Sequence, residues 1–136
     1  MSNYMLDTNM ASYVINGKSV AARKRLATLP MDRIFVSVVT EAELLYGCAR
    51  KGHPEVLAQV IKRFLLRVNV LPWDRETAAV YADLRASCNK SGVSLSALDM
   101  MIAAHAIASN SVLVTHDKAY RHVSDGALVI EDWLTD

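Results

Sequence analysis

Cysteine is scarce in this sequence, and the two that occur, Cys48 and Cys88, stand far apart with no CxxC or Cys/His spacing around them. That spacing offers no zinc site and favours free thiols over a disulfide framework. Only three prolines and five glycines interrupt the chain, which excludes collagen-like and low-complexity architectures. No run approaches the roughly 20 apolar residues of a membrane span, and the longest candidate, 100–108, contains His105. The opening MSNYMLDTN lacks the basic-then-apolar pattern of a secretory signal, so the expectation is a cytoplasmic protein with no membrane partner. An excess of either charge is missing too. Fifteen basic and 14 acidic residues leave a net charge of +1, and this bulk balance gives no support to a nucleic-acid partner.

What is present is a globular composition, 52% hydrophobic and 21% charged, over 136 residues, and the expectation is one domain spanning 1–136. Short β-rich segments at 4–6, 34–38, 68–71, 111–115 and 128–130 alternate with helical patterns at 10–15, 19–29, 41–50, 56–67, 75–90 and 97–109. The stripe Val56, Val60, Ile61, Phe64 and Leu65 marks one face of the fourth helix, and Ser91-Gly92 closes the fifth. Alternation without NG or DG hairpins predicts an α/β fold with a parallel sheet covered by helices. In such sheets ligands bind beyond the carboxyl ends of the strands.

Four acids fall where that rule directs attention. Asp7 follows the first strand, and Glu43 lies in the first helical turn expected after the second. Asp99 lies in the first turn of the helix at 97–109, and Asp117 comes two residues after the strand at 111–115. Each has a simpler reading. Thr40 and Glu43 match a capping box, Ser96 and Asp99 match its looser Asp form, and Asp7 or Asp117 can start a helix or turn. Together they carry more weight, because a parallel sheet can bring all these positions to one edge. Clustered carboxylates repel, and a hard divalent cation such as Mg²⁺ or Mn²⁺ removes the conflict. Such a site activates water and offsets the charge of a phosphate. Periodicity does not separate Glu43 from Glu41, since both flank the stripe Ala42, Leu45, Tyr46, Ala49; the capping position and Gly47 one turn on favour Glu43.

The stretches MLDTN (5–9), SVVTEAELLYG (37–47), DMMIAAHA (99–106), VTHD (114–117) and IEDW (130–133) resemble, in order and spacing, the signatures of VapC toxins, PIN-domain ribonucleases. The resemblance implies a three-layer α/β/α PIN-like fold around a short, mainly parallel central sheet. It implies an Mg²⁺-dependent endoribonuclease, with Mn²⁺ able to substitute, acting on RNA such as tRNA. Asp7 and Asp99 would be the principal metal ligands, and Glu43 and Asp117 secondary ligands or the groups that position and deprotonate water. It further implies inhibition by a cognate VapB-type antitoxin, operator DNA bound only through that antitoxin, and a homodimer. Two departures stand out: Ser96 replaces a Gly frequent before the third acid, and Lys118-Ala119-Tyr120 replaces the Asp-Phe or Glu-Phe frequent after the fourth.

Other residues have weaker patterns. Thr8, Asn9 and Thr115 accompany the acids and can hydrogen-bond them or water. His105, His116, His53 and His122 form no ligand spacing, and Trp73 and Trp133 read as packing residues. Met5, Met100 and Met101 read as core fillers. Basic clusters at Arg23-Lys24-Arg25, Arg50-Lys51 and Lys62-Arg63 with Arg67 are candidate phosphate contacts, Arg25 and Arg50 foremost, whereas Asp125, Glu131, Asp132 and Asp136 make the last segment acidic. Competing functions are a phospho-handling Asp domain and a non-catalytic PIN-shaped binding module. The first lacks the second Asp of D-x-D, Asn9 standing there; the second would bind metal without cutting RNA.

Overall fold

The computed structural model describes residues 1–123 and 126–134, so Asp125 and Asp136 of the acidic last segment lie outside the described residues. The apolar run at the chain's start becomes strand β1 (Asn3–Leu6), flanked on both sides by parallel partners. Its register pairs Tyr4 with Ile34 of β2 (Ile34–Ser37) and with Val112 of β4 (Ser111–Val114). Adding β3 (Asn69–Leu71) and β5 (Ile130–Glu131) gives an all-parallel sheet of five strands in the order β3-β2-β1-β4-β5. The order reverses beside β1, and at such a switch point the strand ends open a crevice.

Alternation along the strands divides the core in two. Leu6, Ile34, Val36 and Val114 point to a cluster closed by α1 (Thr8–Asn16), α2 (Val20–Ala27), α3 (Val38–Arg50) and α4 (Glu55–Arg67). Met5 and Leu113 point to the other, closed by α5 (Arg75–Ser91) and α6 (Ala97–Ala108). Helices therefore cover both faces, the α/β/α arrangement expected, and both faces of β1 are buried as a parallel sheet requires. Cys48 and Cys88 are both buried, one in each cluster. Gly92, at φ +74°, closes α5 in the left-handed conformation that a side chain disfavours. No helix among the described residues is long and apolar enough to cross a membrane.

The third helix departs from the sequence reading. It starts at Val38, and its cap is Ser37, whose Oγ accepts from the Val39 N–H at 3.1 Å. Thr40 is fully buried inside the first turn, so Thr40 and Glu43 form no capping box and Glu43 stands in the second turn. The β-branched run Val38-Val39-Thr40 prolongs the apparent strand in the sequence, but Ser37 ends it. The stripe at Leu45 and Tyr46 faces outward, 52% and 66% exposed, while Leu44 and Cys48 face the sheet. On α4, Ile61 and Phe64 are buried as expected, yet Val56 in the first turn is exposed.

Candidate active site

The carboxyl ends of β1 and β4 are adjacent, and a chain of hydrogen bonds ties their following residues together. Asp7 caps α1, its Oδ1 accepting from the Met10 N–H at 2.8 Å. Its Oδ2 accepts from the Thr115 hydroxyl at 2.6 Å, and Thr115 Oγ1 in turn accepts from the Asp117 N–H at 3.0 Å. The simpler reading of Asp7 as a helix start is thus correct but incomplete, since each carboxylate oxygen keeps a second lone pair. Burial pushes the Asp7 carboxyl up to about 6, against the stabilising bonds from Thr115 and Met10; the nearby charges of Asp99 and Asp117 push it in the same direction as burial. Asp7, Asp99 and Asp117 are therefore gathered in one electrostatic neighbourhood.

Asp99 arrives there on the first turn of α6. Ser96 caps that helix, its Oγ accepting from the Asp99 N–H at 3.1 Å, so the departure from Gly is absorbed as a cap. Asp117 is exposed and begins a 3₁₀ turn over Lys118–His122, accepting from the Ala119 N–H at 2.9 Å.

Glu43 is brought in differently. The hydroxyl of Thr8, the residue after Asp7, donates to Glu43 Oε1 at 2.6 Å, and Thr40 Oγ1 lies 3.3 Å from the same hydroxyl. Glu41 points elsewhere, lining an apolar groove between α3 and α4 with Leu45 and Tyr46. Geometry thus separates two residues that periodicity does not. A second recess, about 190 Å³, is bordered by Thr8, Glu43, Gly47, Arg50 and Lys51, which puts that basic pair beside Glu43. Arg25 is differently engaged, its Nη2 3.1 Å from Glu131 Oε1.

Among the described residues no three acidic, histidine or cysteine side chains stand close enough together to enclose an ion by themselves. Magnesium does not need that: it keeps several waters and takes one or two carboxylates plus phosphate oxygens. The oxygen-only donors, their mutual repulsion at Asp7 and an unpaired buried hydroxyl beside them suit a hydrated hard cation.

That hydroxyl belongs to Tyr120, a residue the sequence offers only as a departure from pattern. Its side chain is 1% exposed and its oxygen completes no hydrogen bond. A buried tyrosine ordinarily needs a partner, and its place three residues after Asp117 is the available signal. For His105 the sequence predicts simple packing. It is buried, and its Nδ1 lies 2.8 Å from Ser37 Oγ, linking α6 to the cap of α3; burial holds its pKa below the usual value. His116 is exposed and pairs with Asp132 at 2.8 Å. Met5 and Met100 are buried core residues, as expected, and Met101 is half-buried. Trp133 is buried in the core, and Trp73 packs at the edge, its indole N–H donating to the Met101 carbonyl at 3.2 Å.

Comparison with known proteins agrees with this arrangement. A PIN domain family model matches residues 4–126. The tRNA(fMet)-specific endonuclease VapC of Shigella flexneri is 34% identical over 134 residues, covering 98% of this chain and 99% of that protein. Ribonuclease VapC2 of Haemophilus influenzae is 33% identical, covering 98% of this chain and 100% of that protein. Among solved structures, VapBC from Salmonella typhimurium, bound to DNA, superposes with a TM-score of 0.89 at 32% identity, covering 98% of this chain and 99% of that one. VapBC2 from Rickettsia felis, bound to a promoter DNA fragment, gives 0.88 at 30% identity, covering 96% and 98%. With its parallel sheet, its acids at the β1–β4 edge and relatives alike over nearly their whole length, this chain belongs to the PIN-domain family, among the VapC-type proteins.

Proposed function

We propose that the protein is the toxin of a VapBC-type toxin–antitoxin pair, an endoribonuclease that cuts RNA with a bound Mg²⁺ or Mn²⁺. The observation that carries this reading is the convergence of Asp7, Asp99 and Asp117 where β1 and β4 end, with Glu43 held one residue away through Thr8. In this reading Asp7 and Asp99 hold the ion, which when bound offsets the charge of the phosphate under attack. Glu43, kept in place by Thr8, orients a water and accepts its proton, and Asp117 shares that work. Arg50 and Lys51 border Glu43 and meet the RNA backbone there. The reading also makes the protein a homodimer that reaches operator DNA only through its antitoxin.

An antitoxin of VapB type as partner has separate support. The similar Salmonella and Rickettsia structures are VapBC complexes. Between α3 and α4 of this chain lies an apolar groove of about 770 Å³, lined by Leu45, Tyr46, Ala49, Leu65 and Leu66, and exposed apolar surface of that kind marks a binding face.

The test is RNA cleavage by the purified chain, with tRNA among the substrates. Cleavage should require Mg²⁺ or Mn²⁺, stop on adding EDTA and resume when the ion is restored in excess. Cutting that persists in EDTA, or metal binding with no cutting of any RNA, would overturn the proposal; the latter is what a non-catalytic module would give. Glu43→Gln should lower the cleavage rate by on the order of 10²-fold or more. Glu41→Gln, on the other side of the helix, should leave it within about twofold. Comparable losses in both variants would remove Glu43 from the chemistry.

A further inference from the structure

Three of the four acids have a dedicated donor. Thr115 and the Met10 N–H serve Asp7, Thr8 serves Glu43, and the Ala119 N–H serves Asp117. Asp99 differs: its backbone N–H is capped by Ser96, while among the described residues no hydrogen bond is completed at its carboxylate. Within reach of it stands the Tyr120 hydroxyl, buried to 1% exposure and itself without a completed hydrogen bond.

Leaving a hydroxyl buried and unpaired costs stability, and phenylalanine would fill the same space without that cost. The ring belongs to the buried core cluster that includes Met5, Met100 and Ala103, an apolar setting for its one oxygen. Asp99, Asp7 and Asp117 all lie within electrostatic reach of this phenol, Asp99 also within hydrogen-bonding reach of it. The hydroxyl therefore stands unpaired next to the one acid whose carboxylate completes no hydrogen bond among the described residues.

We propose that Tyr120 is a positioning residue for the metal site, its hydroxyl donating to Asp99 and fixing the orientation of that carboxylate when a divalent ion is seated. Partners one step out from the ligands commonly set metal affinity in this way, because they hold a ligand in its binding rotamer and raise its basicity. The proposal rests on the metal-dependent reading of the site above.

Tyr120→Phe tests it, with Mn²⁺ titrated calorimetrically into the metal-free full-length chain. The variant should fold, melt at or above the temperature of the parent because an unpaired hydroxyl has gone, and bind Mn²⁺ roughly tenfold more weakly. A mere packing defect would instead lower the melting temperature of the metal-free variant along with its Mn²⁺ affinity. Equal Mn²⁺ affinity in parent and Tyr120→Phe would overturn the proposal, as would a weaker affinity accompanied by a lower melting temperature. A parent that binds no Mn²⁺ would instead overturn the metal reading itself, and with it this inference.

Discussion

Asp7→Asn is expected to abolish RNA cleavage, by on the order of 10³-fold or more, while making the metal-free protein more stable. The two effects have one origin. Asp7 is 4% exposed, and burial with neighbouring like charges lifts its carboxyl from 3.8 to about 6. Keeping it ionised at neutral pH therefore costs the fold about 3 kcal/mol, since each tenfold change in proton affinity is worth about 1.4 kcal/mol. Asparagine removes that charge and keeps the geometry: its carbonyl oxygen accepts from the Met10 N–H, and its amide donates to the Thr115 oxygen that formerly donated to Oδ2. Urea unfolding should show a gain of about 1–3 kcal/mol, since some of the strain relaxes in the parent. A variant that cleaves RNA normally, or one that is plainly less stable than the parent, would contradict the role given to this residue.

The raised proton affinity of Asp7 also fixes a pH dependence. The folded-state pKa lies above the unfolded one, so between pH 3.8 and about 6 the folded protein holds a proton that the unfolded chain has released. The contribution of Asp7 to stability is complete below that window and is lost as pH rises through it. The parent's unfolding free energy should carry this slope, and Asp7→Asn should lack it. On the metal-dependent reading, Mg²⁺ added at pH 7 should raise stability by mass action in the parent but not in the variant.

Much of this arrangement is legible in the sequence. The apolar run at 4–6 reads as a short buried strand, and an acid at the carboxyl end of such a strand in a parallel sheet opens on the crevice. Ser96 announces the start of α6 and so places Asp99. Other features depend on contacts distant in sequence. Val38-Val39-Thr40 has the composition of a strand, and only Ser37, tied to His105 68 positions away, turns it into a helix. The exposure of Leu45 and Tyr46 inverts the apolar stripe of α3, because the sheet takes Leu44 and Cys48 instead. The sequence favours Glu43 over Glu41 for a capping role it does not have and for Gly47 one turn on, which borders the same recess; the discriminating contact is Thr8, 35 positions earlier. The Tyr120 hydroxyl is invisible because a core position shows its ring in the sequence, not where its oxygen ends.

Trp133→Ala should be the most destabilising single change at the far edge of the sheet, costing about 3–5 kcal/mol. The indole is 4% exposed and its ring centroid lies 5.8 Å from that of Tyr4 in β1. Its N–H donates to Glu131 Oε1 at 2.8 Å, the oxygen that also receives Arg25 at 3.1 Å, and the Arg25 guanidinium lies 5.6 Å from the Tyr4 ring centroid. Tryptophan thus joins α2, β1 and β5 through one carboxylate. The consequence reaches the acids, because the Thr115 N–H donates to the Glu131 carbonyl at 3.0 Å and the Thr115 hydroxyl is the donor to Asp7. Loosening β5 should therefore lower the cleavage rate of the still-folded variant with little change in RNA affinity. Trp133→Phe keeps most of the packing and loses only the N–H, so its cost should be nearer 1 kcal/mol. A tryptophan used to stack on bases would behave the other way, with stability barely altered and RNA binding weakened by about 1–3 kcal/mol. Its burial against Tyr4 leaves no open face for a base, which is why chemical denaturation rather than an RNA-binding assay should register the substitution.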